Sequence, residues 1–160
     1  ANMKKVIWSI IILLLIGIGL LVQAIYAGDH DKQNAKEKAV KTATETANLT
    51  ETADFYLYNG NETWSVVTGV NDEGKKVGVW IPDNKKEESK VLALSEGISE
   101  KEAISLVKNK KKVKKIMAAN LGMENGTALW EVIYKNNDDL YGYYYLNFKT
   151  GDLIRNYDNL

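Results

Sequence analysis

The 160-residue chain contains no cysteine and a single histidine, His30. Without cysteine it has no thiol nucleophile, no disulfide and no lipid attachment through a thiol. One histidine beside an apolar segment is too few for a zinc site of several His or Cys ligands, and it argues against a Ser-His-Asp triad. We therefore expect neither a bound metal nor catalysis of these classes.

Other signatures of chemistry are also missing. The sequence has no Walker loop and no dinucleotide fingerprint, and NDEGK and NNDDLYG lack the ligand pattern of a calcium loop. An Asp/Glu pair could serve a hydrolase, but Asp72, Glu73, Asp138 and Asp139 fall in predicted turns, where acidic residues serve the local backbone. We expect a protein that is not an enzyme and uses no cofactor or small-molecule substrate.

The charge is balanced, with 21 basic and 21 acidic residues. A domain that binds nucleic acid usually carries a strong excess of lysine and arginine on one face. We therefore expect no nucleic-acid partner.

What the sequence does contain is one long apolar segment near its N-terminus. Residues 6–22 are apolar apart from Ser9 and two glycines. This length is close to the about 20 residues that a helix needs to cross a bilayer. We predict a short N-terminus and a single membrane-spanning helix within residues 1–28.

The charges that flank this segment predict its orientation. Lys4 and Lys5 precede it, whereas Asp29 and Asp31 follow it. Because positive charge stays on the cytoplasmic side, the N-terminus is expected in the cytoplasm and the remaining chain outside the cell membrane. A signal peptide cleaved after Ala27 is the alternative, although its apolar region would exceed the usual about 7–15 residues.

Beyond this segment, two stretches of the chain resemble each other. NGNETWSVVTGVNDE and NGTALWEVIYKNNDD align Trp64 with Trp130 at a constant offset of 66 positions. The spacing indicates two related units, residues 29–95 and 96–160. Because a unit of about 60 residues is only marginally stable alone, we expect the two to share an interface. We also expect both tryptophans to be buried at equivalent positions.

Each unit is predicted to place one helix on an antiparallel sheet. In the first unit a helix over residues 31–48 precedes the strands ADFYLYNG, ETWSVVTGV and KKVGVWIP. In the second, Ser99 and Glu102 form a capping box at a helix start, and the strands VKKIMAANL, TALWEVIYK, LYGYYYLNF and LIRNY follow. The predicted class is α+β.

Two surfaces are candidates for binding a partner. Alternation along LYGYYYLNF turns Tyr141, Tyr143 and Tyr145 outward, and Trp80 on the equivalent hairpin is expected to extend this stripe. Tyrosine and tryptophan are enriched at protein interfaces. Exposed tyrosines on a strand can also serve only to stabilise cross-strand pairs, which is the alternative.

The second surface is the lysine-rich run KNKKKVKK at the end of the second helix. It contains Lys108, Lys110, Lys111, Lys112, Lys114 and Lys115. One interpretation is a solvated helix C-terminus that the helix dipole favours. The other is a contact with an anionic surface, either lipid headgroups or an acidic wall polymer.

Three motifs of the second unit, ISEKEAISLV, NGTALWEVIYK and YLNFKTGDLI, resemble a PepSY domain. Asn147 stands where that pattern usually has aspartate, which weakens any role that needs a carboxylate there. Taken whole, the chain is similar to cell-wall elongation regulators of the YpmB/TseB family. The resemblance implies a membrane anchor followed by two tandem cystatin-like (PepSY-like) units, with no catalytic residue.

The same resemblance implies a function. It indicates a membrane-anchored partner of a penicillin-binding transpeptidase that regulates peptidoglycan synthesis during elongation. PepSY domains also accompany peptidases as inhibitory or chaperoning modules. That role, and the binding of an anionic wall polymer, stay open as alternatives.

Overall fold

A computed structural model describes residues 2–160, and their side chains except those of residues 2, 4–6, 8, 29 and 30. The helices are α1 (Asn2–Ala47), a 3-10 turn (Leu94–Glu96) and α2 (Glu100–Lys110). The strands are β1 (Leu49–Asn59), β2 (Thr63–Asn71), β3 (Lys76–Pro82), β4 (Lys90–Ala93), β5 (Lys115–Glu124), β6 (Thr127–Lys135), β7 (Tyr141–Asn147) and β8 (Leu153–Tyr157). The chain forms two compact units, which divide between Glu37 and Lys38.

The first unit is the N-terminal part of α1. Its most apolar window has a mean hydropathy of 2.7, and side chains such as Leu13 and Leu21 are exposed. By length and composition this helix can cross a membrane, and it is therefore a candidate anchor. The side chains of Lys4, Lys5 and Asp29, on which the predicted orientation depends, lie outside the described ones.

The second unit contains two four-stranded antiparallel sheets, ordered β1-β2-β3-β4 and β5-β6-β7-β8. The predicted α+β class is confirmed, and β6 and β8 occupy the predicted residues. The predicted turn between β2 and β3 includes Gly74 at φ 75°, a conformation that glycine adopts without strain. Strand β4 was not predicted, because four residues are too few to show a clear alternation of apolar and polar side chains.

The helix predicted over residues 31–48 and the helix predicted to begin at Ser99 are both present, as the end of α1 and as α2. The end of α1 packs Ala39 and Ala43 against a valine-rich face of the first sheet, formed by Val67, Val77 and Val79. In α2, the Ser99 side chain accepts from the Glu102 backbone N–H, and the Glu102 carboxylate accepts from the Ser99 backbone N–H. The predicted capping box is thus confirmed.

The two repeated tryptophans are both buried, but they differ in their relation to the helix. The Trp130 indole N–H donates to the Ile98 carbonyl just before α2, so Trp130 lies on the sheet face that α2 covers. Trp64 lies on the opposite face from Val67, the face that α1 leaves uncovered. The prediction that both tryptophans are buried is therefore confirmed, whereas the prediction that their positions are equivalent is wrong.

The physical reason is that the face containing Trp64 packs against the second sheet. From this face, Trp80 contacts Phe148 edge-on at 5.5 Å between ring centroids. Tyr56 likewise contacts Trp130 at 6.0 Å. These contacts bury the larger side chains between the sheets, and the small alanine stripe of α1 covers the valines on the other side.

Candidate functional site

The face of the second sheet that α2 does not cover is rich in tyrosine. Cross-strand pairs place Tyr143 beside both Ile133 and Tyr157, and Tyr145 beside Arg155. We call the surface formed by Ile133, Tyr141, Tyr143, Tyr145, Arg155 and Tyr157 the tyrosine face. Its side chains come from three adjacent strands, so its shape is set by the sheet.

The predicted stripe is exposed unevenly along this face. Tyr141 is 37% exposed and Tyr157 50%, whereas Tyr145 is only 7% exposed. Tyr143 is half-buried. Tyr145 points outward as the alternation predicts, but the Arg155 guanidinium covers its ring at 4.0 Å from the centroid. Burial, and then the charge of Glu131, raise the pKa of Tyr145 to about 12.

Trp80 does not extend the stripe, and that prediction is wrong. Its side chain is fully buried, and its indole N–H donates to the Gly122 carbonyl over 2.8 Å. The side of β3 that carries Trp80 faces the second sheet. Trp80 therefore holds the two sheets together and offers no surface to a partner.

Arg155 is the centre of a charged network at one end of the tyrosine face. Its guanidinium donates to both carboxylate oxygens of Glu124, the contact from Nη2 being 2.5 Å. The Tyr58 hydroxyl donates to Glu124 Oε1 over 2.5 Å. These hydrogen bonds, those from Arg155 foremost, lower the pKa of the Glu124 carboxyl. The carboxylate is consequently ionised and paired although Glu124 is only 8% exposed.

This network was not predicted from the sequence, yet one signal could have located it. Arg155 is the single arginine among 21 basic residues. Arginine holds a carboxylate through two parallel hydrogen bonds and stacks on aromatic rings, which lysine does not do. A lone arginine that alternates with Tyr157 in a predicted strand indicates such a position.

The lysine-rich run contains two kinds of lysine. Lys111 donates to Asp158 over 2.5 Å, and Lys114 contacts both oxygens of Asp139 at 2.9 Å. The other four are exposed and form no ion pair with any described residue: Lys108, Lys110, Lys112 and Lys115. We call these four the unpaired lysines. They concentrate positive charge at the end of α2 and the start of β5.

Together these features define a class of protein. It is an α+β protein with a candidate N-terminal membrane anchor and two antiparallel sheets joined through an aromatic interface. Among the described residues no group of three or more His, Asp or Glu could hold a metal ion. An aromatic sheet face and a cluster of lysines are both suited to binding.

Comparison with known proteins identifies the family. The chain belongs to the TseB/YpmB family of cell wall elongation regulators. It is 30% identical over 155 residues to the "Probable cell wall elongation regulator TseB" of Bacillus subtilis (strain 168), covering 96% of each chain. The family described as "Cell wall elongation regulator TseB-like domain" matches residues 38–82, from the end of α1 to β3.

A solved structure is similar as well. The "YpmB protein from Bacillus subtilis" shares 30% sequence identity with a TM-score of 0.69. The similarity covers 76% of this chain and 95% of that chain. The relative therefore shares the fold of the part of this chain that the similarity covers.

Proposed function

We propose that this protein is a non-enzymatic, membrane-anchored regulator that contacts a penicillin-binding transpeptidase and adjusts peptidoglycan synthesis during elongation. Its apolar helix crosses the membrane once, with the N-terminus in the cytoplasm and residues after 28 outside. The observation that carries the proposal is the tyrosine face, an aromatic surface on which Tyr141 is 37% and Tyr157 50% exposed. The name of the Bacillus subtilis relative, "Probable cell wall elongation regulator TseB", supports a role in cell-wall elongation.

The composition of the tyrosine face fits a protein partner. Tyrosine and arginine are enriched in protein interfaces and among the residues that dominate their binding energy. Tyr141 and Tyr143 offer aromatic surface, and Arg155 is held in place by Glu124 before any partner arrives. A side chain that is already ordered loses less entropy on binding, so the contact can be stronger for its area.

Anchoring supports the same function. If both proteins are held at one membrane, their encounter is confined to a thin layer, and the effective concentration of each rises. A small surface such as the tyrosine face can then suffice for a regulatory contact. Such a contact forms and dissolves readily, as regulation of an enzyme requires.

The unpaired lysines favour a second candidate function, the binding of an anionic wall polymer. Lys111 and Lys114 are neutralised by aspartates, whereas Lys108, Lys110 and Lys112 are exposed and unpaired within the described residues. Clustered cations of this kind attract phosphate-bearing or carboxylate-bearing polymers through long-range electrostatics. This function would act beside, or in place of, the contact with a transpeptidase.

Photocrosslinking in living cells tests both functions. Benzoylphenylalanine replaces Tyr143 on the tyrosine face, Lys112 among the unpaired lysines, or the exposed Lys85 between β3 and β4 as a control. The full-length chain is expressed in each case, and captured material is identified by mass spectrometry. We expect a penicillin-binding protein to be captured at Tyr143 and not at Lys85.

The other outcomes discriminate between the alternatives. Capture of wall polymer at Lys112 alone favours the second function and contradicts the first. Capture of an extracytoplasmic peptidase at Tyr143 supports the PepSY-type inhibitor or chaperone alternative. Equal capture at Tyr143 and Lys85, or none at either, contradicts the assignment of the tyrosine face.

A further inference from the structure

A cleft separates the first sheet from the start of α2, on the side away from the tyrosine face. Its volume is about 210 Å³. Its lining includes Asp54, Tyr56, Ile98, Glu100, Trp130 and Phe148. They belong to both repeats, so the cleft exists only because the two sheets pack together.

The cleft has an apolar floor and an acidic rim. Leu121, Trp130 and Phe148 are buried core residues that form the floor. Asp54 and Glu100 are exposed at the rim, and neither forms an ion pair with any described residue. A ligand that fits this arrangement has an apolar body and a positive charge at one end.

The negative charges of the rim also act on Tyr56. Tyr56 belongs to the lining, and its pKa is raised to about 12 by burial first, then by the charges of Asp54 and Glu100. Both carboxylates therefore act on one point of the cleft. A cation placed there would be attracted by both at once.

The size of the cleft limits what it can hold. Sites for small-molecule ligands usually measure roughly 300–1,000 Å³, and this cleft is smaller. It suits one long side chain. Lysine and arginine carry an aliphatic stem that packs on apolar surface and a charged head that stays near water or carboxylates.

We propose that this cleft binds a lysine or arginine side chain presented by an extracytoplasmic protein partner. The stem covers the apolar floor beside Ile98 and Trp130, and the charged head lies between Asp54 and Glu100. Charge complementarity selects a basic side chain over a neutral one of similar length. This site is separate from the tyrosine face and would stand even if that face had another role.

The test uses the full-length chain in nanodiscs of phosphatidylcholine, which carry no net charge. Three probes are titrated: acetyl-Ala-Arg-Ala-amide, its lysine counterpart, and its glutamine counterpart. Binding is followed by NMR at the Ile98 methyl groups and the Trp130 indole N–H. We expect saturable shifts with the arginine and lysine peptides, and at least tenfold weaker binding of the glutamine peptide.

A charge-removing variant and a matched control complete the experiment. Asp54→Asn with Glu100→Gln should weaken binding of the basic peptides at least fivefold. Glu87→Gln with Glu88→Gln, which removes the same charge from an exposed loop, should leave it unchanged. Unshifted Ile98 and Trp130 signals in the peptide-free variants show that the cleft is intact.

Two results would overturn the proposal. The first is equal binding of the glutamine and arginine peptides, which shows that charge does not select the ligand. The second is equal loss of binding in both charge-removed variants, which shows that only net charge matters. The peptide comparison on the unmodified chain decides the matter even if a variant is unstable.

Discussion

The Tyr58 hydroxyl donates a 2.5 Å hydrogen bond to the Glu124 carboxylate, and the two residues lie 66 positions apart, the offset between the two repeats. Two residues that directly precede the two similar stretches of sequence therefore bond to each other. Arg155 completes the contact by donating to Glu124 from the last strand. This hydrogen bond joins the first sheet, through β1, to the second sheet, through β5.

Replacing Tyr58 with phenylalanine should destabilise the fold by about 2 kcal/mol, because it removes a hydrogen bond to a buried charged group. The ring itself would stay against Gly122, where a methyl group would overlap it. The free energy of unfolding of the full chain in detergent, measured with urea, tests this. Tyr141→Phe is the control, since that side chain is exposed. Equal losses in both variants would contradict the role of the Tyr58 hydroxyl.

Protonation of Glu124 should account for part of the stability that the protein loses as the pH is lowered. Its pKa is lowered in the folded state, chiefly by the hydrogen bonds from Arg155. Its contribution is therefore fully present above the unfolded pKa of about 4.3 and is lost as pH falls through the lower folded pKa. In urea unfolding between pH 6 and pH 3, Glu124→Gln should flatten the decline.

The control for this pH dependence is Glu131→Gln. Glu131 is only half-buried and forms no ion pair with any described residue, so its removal should leave most of the decline in place. If Glu124→Gln shows the same pH dependence as the unmodified chain, the carboxylate does not act as described.

Local patterns in the sequence predict much of this fold. The capping box at Ser99 and the alternation of β6 specify their elements through contacts between near neighbours. Alternation also separates the two faces of each strand correctly, as at Tyr143 and Tyr144. What it cannot specify is which face another element covers.

The errors arise from that limit. Trp80 and Tyr145 were both expected on an open surface. Trp80 is instead buried against the second sheet, and Tyr145 is covered by Arg155. The residues that bury Trp80 and Tyr145 lie more than nine positions away along the chain. The periodicity within one strand therefore cannot predict these contacts. The cleft at Tyr56 was missed for the same reason.

Trp80→Phe should destabilise the protein more than Trp64→Phe. Both side chains are buried, but Trp80 also donates to the Gly122 carbonyl, which would lose its partner. We expect an additional loss of about 1 kcal/mol in the free energy of unfolding. For Trp64, no hydrogen bond of the indole is seen within the described residues, which makes it the matched control. A larger loss at Trp64 would show that ring packing alone matters.

The absence of cysteine makes the orientation of the chain directly testable. Single cysteines are introduced at Lys85 and, separately, at Lys4, and intact cells are treated with a membrane-impermeant maleimide. The positive-inside rule predicts labelling of Lys85→Cys in intact cells and of Lys4→Cys only after lysis. Labelling of both in intact cells, or release of the Lys85→Cys chain into the medium, would contradict the anchored topology.

Arg155→Lys keeps the charge but should disturb the tyrosine face. Lysine cannot donate to both oxygens of Glu124 in one plane, nor cover the Tyr145 ring as the guanidinium does at 4.0 Å. The Arg155 side chain is 30% exposed, and its Nε is buried without a partner among the described residues. Both features limit the loss, which we expect to be about 1–2 kcal/mol in the free energy of unfolding.

The functional consequence should exceed this loss of stability. Without the guanidinium, Tyr145 is no longer covered and the surface beside Tyr143 loses its ordered cation, so crosslinking from Tyr143 to the partner should fall severalfold. Lys135→Arg is the matched control, because Lys135 lies over the Tyr141 ring at 4.8 Å on the same sheet and the change again preserves charge. The proposal is contradicted if Lys135→Arg reduces crosslinking as much as Arg155→Lys, or if neither variant reduces it. Either result would show that binding of the partner does not depend on the position of the Arg155 guanidinium.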